Sequence, residues 1–261
     1  MGSAAARKGF SRTAKVLGYS VNLIDLEETV ALLERLLLEG GEREKPRLRV
    51  VTLNPEMLML GMRDARLAAA LTRADLVVPD GIGIVWALRR AGNKRQQRVT
   101  GVDLVETLLA RMALAGLKIY LLGGKPGVAV AAAAQLVKRW PQVQVVGCHH
   151  GYFADEASPG LIAEINQAGP ALLLVGMGVP RQETWLAEHW SELSVPLGIG
   201  IGGLLDLWAG RTVRAPYFIR KIGLEWAFRV WKEPQRWKRL RVLPEFIWRV
   251  WQGEKESRWN M

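Results

Sequence analysis

Short apolar runs recur along the chain at 48–53, 75–78, 118–122, 143–146, 171–177 and 197–201. Each is β-branched or leucine-rich and is followed by Gly, Pro or Asn. Continuous rather than alternating hydrophobicity marks strands buried on both faces. Between the runs, apolar residues return every three or four positions, which predicts helices over 26–38, 64–72, 82–90, 102–115, 128–140 and 181–190. Asp25 can cap the first of these, with Glu27 and Glu28 in its opening turn. Strand–helix alternation of this kind predicts an α/β fold, a Rossmann-like and mostly parallel sheet with helices on both faces.

In such folds ligands sit beyond the carboxyl ends of the strands. The residues there are an unusual set: Thr52-Leu53-Asn54-Pro55, Pro79-Asp80-Gly81, Gly123-Gly124-Lys125, Gly178-Val179-Pro180-Arg181-Gln182-Glu183, and Gly202-Gly203 followed by Asp206. Glycines let backbone N–H groups approach a ligand, and a helix start favours phosphate. Two familiar patterns are discounted. Gly198–Gly203 matches G-x-G-x-x-G, but no βαβ unit follows it and no acid lies about 20 residues on. Gly124-Lys125 lacks the hydroxyl residue with which a P-loop holds magnesium.

Composition adds where the charge lies. The 261 residues carry 36 Lys and Arg against 25 Asp and Glu. From residue 209 onward there are 13 basic and 5 acidic residues, together with six of the eleven tryptophans. The sequence therefore divides into a core over 1–212 and a basic, Trp-rich appendage over 213–261. Pro216, Pro234 and Pro244 break the appendage into short helices. Tryptophans beside arginines suit the headgroup layer of an anionic membrane. Single-stranded nucleic acid could stack on the same aromatics, but that leaves the polar strand ends unexplained, and no nucleic-acid partner is expected. One cysteine, Cys148, excludes an internal disulfide framework. No apolar stretch approaches the length needed to span a bilayer, and no apolar signal core follows the basic N-terminus. A cytoplasmic, peripheral location is expected.

The ordered series Thr52-Leu53-Asn54, Pro79-Asp80-Gly81, Arg98-Val99-Thr100-Gly101, Leu122-Gly123-Gly124, Gly178-Val179-Pro180-Arg181-Gln182-Glu183, Gly202-Gly203 with Asp206, and Arg214-Ala215-Pro216 resembles the WecG/TagA/CpsF glycosyltransferases. Gly223-Leu224-Glu225-Trp226 and Glu233-Pro234-Gln235-Arg236 resemble that family's C-terminal segment. The resemblance covers roughly residues 16–241. It implies transfer of a sugar, N-acetylmannosamine in the best-studied type, from a UDP-sugar to a polyprenyl-diphosphate-linked N-acetylglucosamine. The transfer proceeds with inversion at the inner face of the bacterial membrane, in cell-surface polysaccharide or teichoic acid synthesis. It implies Asp80 as the catalytic base and Thr52, Asn54, Arg98, Gly123, Gly124, Gln182 and Asp206 at the substrates. Arg229, Arg236 and Arg239 of a membrane-associating helical appendage are implied to reach the diphosphates. Family members can form dimers. Within the family, the donor could instead be another UDP-hexose or a UDP-uronic acid. Outside it, the alternative is a nucleotide- or nucleic-acid-binding module without turnover.

Inverting transfer needs one base to take the acceptor's proton, which a carboxylate at a strand end such as Asp80 can do. The same Asp could instead accept N–H bonds from its own turn, and Asn54 could simply open a turn before Pro55. No D-x-D occurs to hold a metal, and His149 and His150, adjacent on a strand, would point apart. No metal or cofactor is expected; arginines and backbone N–H groups would meet the charge of the leaving UDP.

Overall fold

The computed structural model describes residues 12–38, 47–221, 225–232 and 241–259, with the backbone alone at 220–221, 229 and 253–259. An antiparallel hairpin, β1 (Thr13–Val16) and β2 (Tyr19–Asn22), precedes helix α1 (Leu26–Leu38). The main sheet is built from β3 (Leu48–Leu53), β4 (Leu76–Pro79), β5 (Lys118–Gly123), β6 (Gln144–His149), β7 (Leu172–Gly176) and β8 (Leu197–Gly200). Its order is β4-β3-β8-β7-β5-β6 and every pairing is parallel. The five strand ends that carry the glycine and acid motifs, those of β3, β4, β5, β7 and β8, therefore emerge on one edge.

The interior strands β3, β7 and β8 and the edge strand β4 are buried at every position, as continuous hydrophobicity requires of strands covered on both sides. One face carries α1, α5 (Gly101–Met112), α6 (Val128–Arg139) and the short α9 (Leu204–Trp208). There Val50, Val78, Leu121, Leu174 and Ile199 of the sheet meet Leu104, Leu108, Ala132 and Leu205 of the helices. The other face divides. Over β3 and β4 lie α2 (Pro55–Gly61), α3 (Ala65–Thr72) and α4 (Ile82–Arg90), with Met57, Leu58, Ile84 and Leu88 buried. Over β5 and β7 lie α7 (Ser158–Ala168) and α8 (Arg181–Glu188), with Ile165 and Trp185 against Tyr120 and Leu173. Between these two groups β8 presents Gly198 and Gly200. A Cβ at Gly198 would lie 2.8 Å from the Trp190 ring, so the bare backbone is what lets α8 sit down on the sheet.

The predicted helices at 26–38 and 82–90 match α1 and α4 end to end. Five elements lie outside the predicted set. The β1–β2 hairpin is too short to show periodicity, and α9 spans one turn. Pro55 stands at the first turn of α2, and Pro159 and Gly160 open α7, so both helices begin with residues that read as loop.

The C-terminal segment forms α10 (Tyr217–Lys221), α11 (Glu225–Lys232) and α12 (Val242–Trp259). Pro216 precedes α10, and Pro244 falls in the first turn of α12, where its missing N–H costs nothing. Pro234 lies outside the described residues. Phe246 and Val250, one turn apart on α12, join the core beside α2 and α4. Trp248 and Trp251 face outward, 55% and 54% exposed. No helix of the described residues is long and apolar enough to cross a membrane.

Candidate active site

The loops after β3 and β4 are locked to one another by the backbone. The Asp80 and Gly81 amides both donate to the Leu53 carbonyl, at 2.9 and 3.3 Å. A Cβ at Gly81 would stand 2.4 Å from Pro55 Cδ and 3.2 Å from Asn54 Cα, so glycine is the residue that permits this approach. Asp80 is thereby held next to Asn54, half-buried at the mouth of the sheet. The Val99 amide donates to the Pro79 carbonyl at 2.9 Å, which brings the Arg98–Thr100 strip alongside. Thr52 lies below: its Oγ1 is 3.4 Å from where a Gly101 Cβ would be, at the N-terminus of α5. Four of the residues implied at the active site, Thr52, Asn54, Asp80 and Arg98, are thus gathered at adjoining strand ends.

Asn54 Oδ1 accepts from the Met57 amide at 2.9 Å and caps α2. The turn role weighed for it is therefore present. Thr100 caps α5 by accepting from the Asp103 amide (3.0 Å), and its hydroxyl donates to Asp103 Oδ2 (2.6 Å).

A second group forms at the ends of β5, β7 and β8. Gly123 has φ +147°, and a Cβ there would lie 2.3 Å from the Gly176 carbonyl oxygen. The Gly124 amide donates to that same carbonyl at 3.0 Å. Gln182 bridges the two neighbouring loops: its Oε1 accepts from the Gly178 amide (3.2 Å) and from the Gly202 amide (3.0 Å). Asp206, on α9, is half-buried, and its carbonyl accepts from the Arg211 and Thr212 amides at 2.9 and 3.2 Å. Burial drives the Glu183 carboxyl up to about 7, against hydrogen bonds that pull it down.

Among the described residues, the appendage meets the site through an acid, Glu225, and Arg214. The buried Glu225, first residue of α11, places Oε2 3.4 Å from Arg98 Nη2 and Oε1 3.8 Å from Arg214 Nε. Arg214 Nη2 also donates to Asp103 Oδ1 at 2.6 Å. The chain Arg98–Glu225–Arg214–Asp103–Thr100 ties α11 to the N-terminus of α5. Glu183, Arg214 and Glu225 stand in the motifs but the sequence assigns them no role: the partners of Arg214 and Glu225 are distant in the chain, and no local pattern marks that Glu183, beside its partner Gln182, is buried. The side chain of Arg229, and Arg236 and Arg239 altogether, lie outside the described residues.

Beyond β6, His149, His150, Tyr152, Phe153 and Glu164 line a groove of about 580 Å³. The two imidazoles do not point apart as expected; their rings are 4.4 Å apart. The strand ends at His149, so the alternation of side chains stops before His150. Among the described residues no cluster of three or more His, Cys, Asp or Glu is placed to hold a metal ion.

Comparison with known proteins gives this edge a context. The family described as "Glycosyl transferase WecG/TagA/CpsF family" matches residues 14–260. A Staphylococcus aureus (strain MW2) protein named N-acetylglucosaminyldiphosphoundecaprenol N-acetyl-beta-D-mannosaminyltransferase is 29% identical over 248 residues, covering 94% of this chain and 96% of its own. A Bacillus subtilis (strain 168) protein of the same name is 30% identical over 210 residues, covering 80% and 81%.

Proposed function

Because the chain belongs to the WecG/TagA/CpsF family of glycosyl transferases, we propose that it moves N-acetylmannosamine from UDP onto a polyprenyl-diphosphate-linked N-acetylglucosamine. The names of the relatives supply the transferred sugar and the acceptor. The observation that carries the reading is the locked pair of loops that gathers Asp80, Asn54 and Arg98 at one sheet edge.

In this reading the acceptor hydroxyl oxygen attacks the anomeric carbon as the bond from that carbon to the diphosphate oxygen breaks. Asp80 takes the hydroxyl proton, and UDP leaves with the electron pair. Inversion follows from attack opposite the leaving group. The negative charge on the departing diphosphate is met by Arg98, by backbone N–H groups of the glycine loops and by the appendage arginines Arg229, Arg236 and Arg239. Thr52 and Asn54 hydrogen-bond the sugar or its amide, and Gly123, Gly124, Gln182 and Asp206 shape the nucleotide side. No metal is called for.

The acceptor is a lipid, so the enzyme must meet a membrane surface, which in this reading is the inner face of the cell membrane. Trp248 and Trp251, with Ile247 also exposed, lie outward on α12, and Arg90 stacks over Trp86 and Trp251 at 5.4 and 5.8 Å. Exposed aromatics beside cations are what an anionic headgroup layer favours. The test is a donor screen with a prenyl-diphosphate N-acetylglucosamine acceptor, in EDTA, with mass detection of the lipid product. The expected result is an added N-acetylhexosamine from UDP-N-acetylmannosamine. Product from another UDP-sugar alone would replace the donor, and product only with added divalent ion would refute the metal-free step.

A further inference from the structure

The first turn of α8 holds a buried polar pair that the transfer step leaves without a stated cause. Gln182 and Glu183 are 2% and 5% exposed. Gln182 Oε1 holds one amide from the loop after β7 and one from the loop after β8, those of Gly178 and Gly202. Its Nε2 donates to Glu183 Oε1 at 2.6 Å. Glu183 Oε2 is buried with no hydrogen-bond partner among the described residues. The pair is seated on β8 at Gly200, where a Cβ would stand 2.8 Å from Gln182 Nε2 and 3.0 Å from Glu183 Oε1.

A primary amide has two ends of similar shape and opposite polarity. Turned over, Gln182 would aim N–H groups at two backbone N–H groups, and both loops would lose their tie. Nothing within Gln182 selects one orientation. A carboxyl beside Nε2 does, because its Oε1 accepts in either protonation state. Burial pushes the Glu183 carboxyl up to about 7. The protonated form spares the cost of an unpaired buried charge and still accepts through Oε1.

We propose that Glu183 is a positioning residue: by accepting from Gln182 Nε2 it fixes the Gln182 amide, and through it the spacing of the Gly178 and Gly202 loops at the nucleotide-sugar side of the crevice. Its bearing on turnover rests on the glycosyl-transfer reading; the latch itself does not.

The experiment compares full-length Glu183→Ala, Glu183→Asp and Glu183→Gln with the parent. Amide hydrogen exchange at Gly178 and Gly202 is measured without ligand, and KM and kcat are measured with UDP-N-acetylmannosamine. Asp shortens the reach, so Asp and Ala should speed exchange at both amides by about tenfold and raise KM by a similar factor, with a smaller change in kcat. Gln keeps the reach and the acceptor, so its exchange should stay within about threefold of the parent. If Ala does not fold, Asp against Gln carries the same contrast. Exchange in Asp and Ala matching the parent would overturn the latch, as would Gln behaving like Asp. A parent that turns over no UDP-sugar overturns the transfer reading alone, and the exchange rates still decide the latch.

Discussion

Removing the Phe246 ring should release the C-terminal helix from the catalytic body. Phe246 is fully buried, and its Cε1 lies 3.3 Å from where a Gly83 Cβ would be. It is thus wedged against the first turn of α4, three residues from Asp80. Among the described side chains Val250 is the other buried apolar anchor of α12, and the Glu245 pairs with Arg63 and Arg249 are surface contacts of small worth. Phe→Ala at such a site costs about 3–5 kcal/mol. Burying Val250 returns only about 1.5–3 kcal/mol, against the entropy of ordering the segment. At about 1.4 kcal/mol per decade, Phe246→Ala should shift the docking equilibrium by a factor of about a hundred or more. Limited trypsin digestion reads it, because cleavage at Arg241 and Arg249 tracks the open population. The expected result is cleavage at these two sites at least about thirtyfold faster in the variant. Gly83→Leu, which drives a side chain into the same joint, should do likewise. Cleavage within about threefold of the parent in both would show that α12 is not held by this wedge.

Other consequences follow from the same contacts. The Glu183 carboxyl is raised from 4.5 to about 7 on folding, so the folded state prefers it protonated. Its contribution is fully present below pH 4.5 and is lost as pH rises through about 7, which amounts to about 3 kcal/mol. Glu183→Gln should remove that slope, as urea melts at pH 4.5 and 7.5 would show. Gly123→Ala places a methyl against the Gly176 carbonyl at a φ that L side chains rarely adopt. It should cost about 3 kcal/mol and lower Tm by about 6–12 °C; an unchanged melt would mean the β5 and β7 ends part freely. Glu225→Leu leaves the Arg98 and Arg214 guanidiniums without their shared carboxylate and should cost about 2 kcal/mol in urea titration. The loss should reverse in part when Arg214 is also changed to Met.

What the sequence made legible was whatever depends on local hydrophobic pattern. Strands buried on both faces stand out as apolar runs, and amphipathic helices such as α1 and α4 show their period. β6 runs on to His149, beyond the predicted 146, because an edge strand is only half-buried and its last residues are polar. The site was legible as a set of residue types at strand ends. Asn54, Asp80 and the glycines could be picked out because parallel topology sends every strand end to one edge. Pairings that cross the chain were not legible. Arg98 and Glu225 are 127 residues apart and meet only because α11 folds back on α5. Gln182 and Glu183 are neighbours, but that one faces two loops while the other braces it depends on a helix seated on two glycines. In α12 nearly every position is apolar, aromatic or charged, so composition alone could not separate the inward Phe246 from the outward Trp248.

In the proposed reaction Asp80 receives a proton while a sugar passes from UDP to a lipid-linked acceptor. Transfer by Asp80→Asn, followed by mass spectrometry under saturating UDP-N-acetylmannosamine and acceptor, tests it most directly. The expected result is a folded variant with product formation slowed by about a hundredfold or more. Product forming at the parent's rate would contradict it.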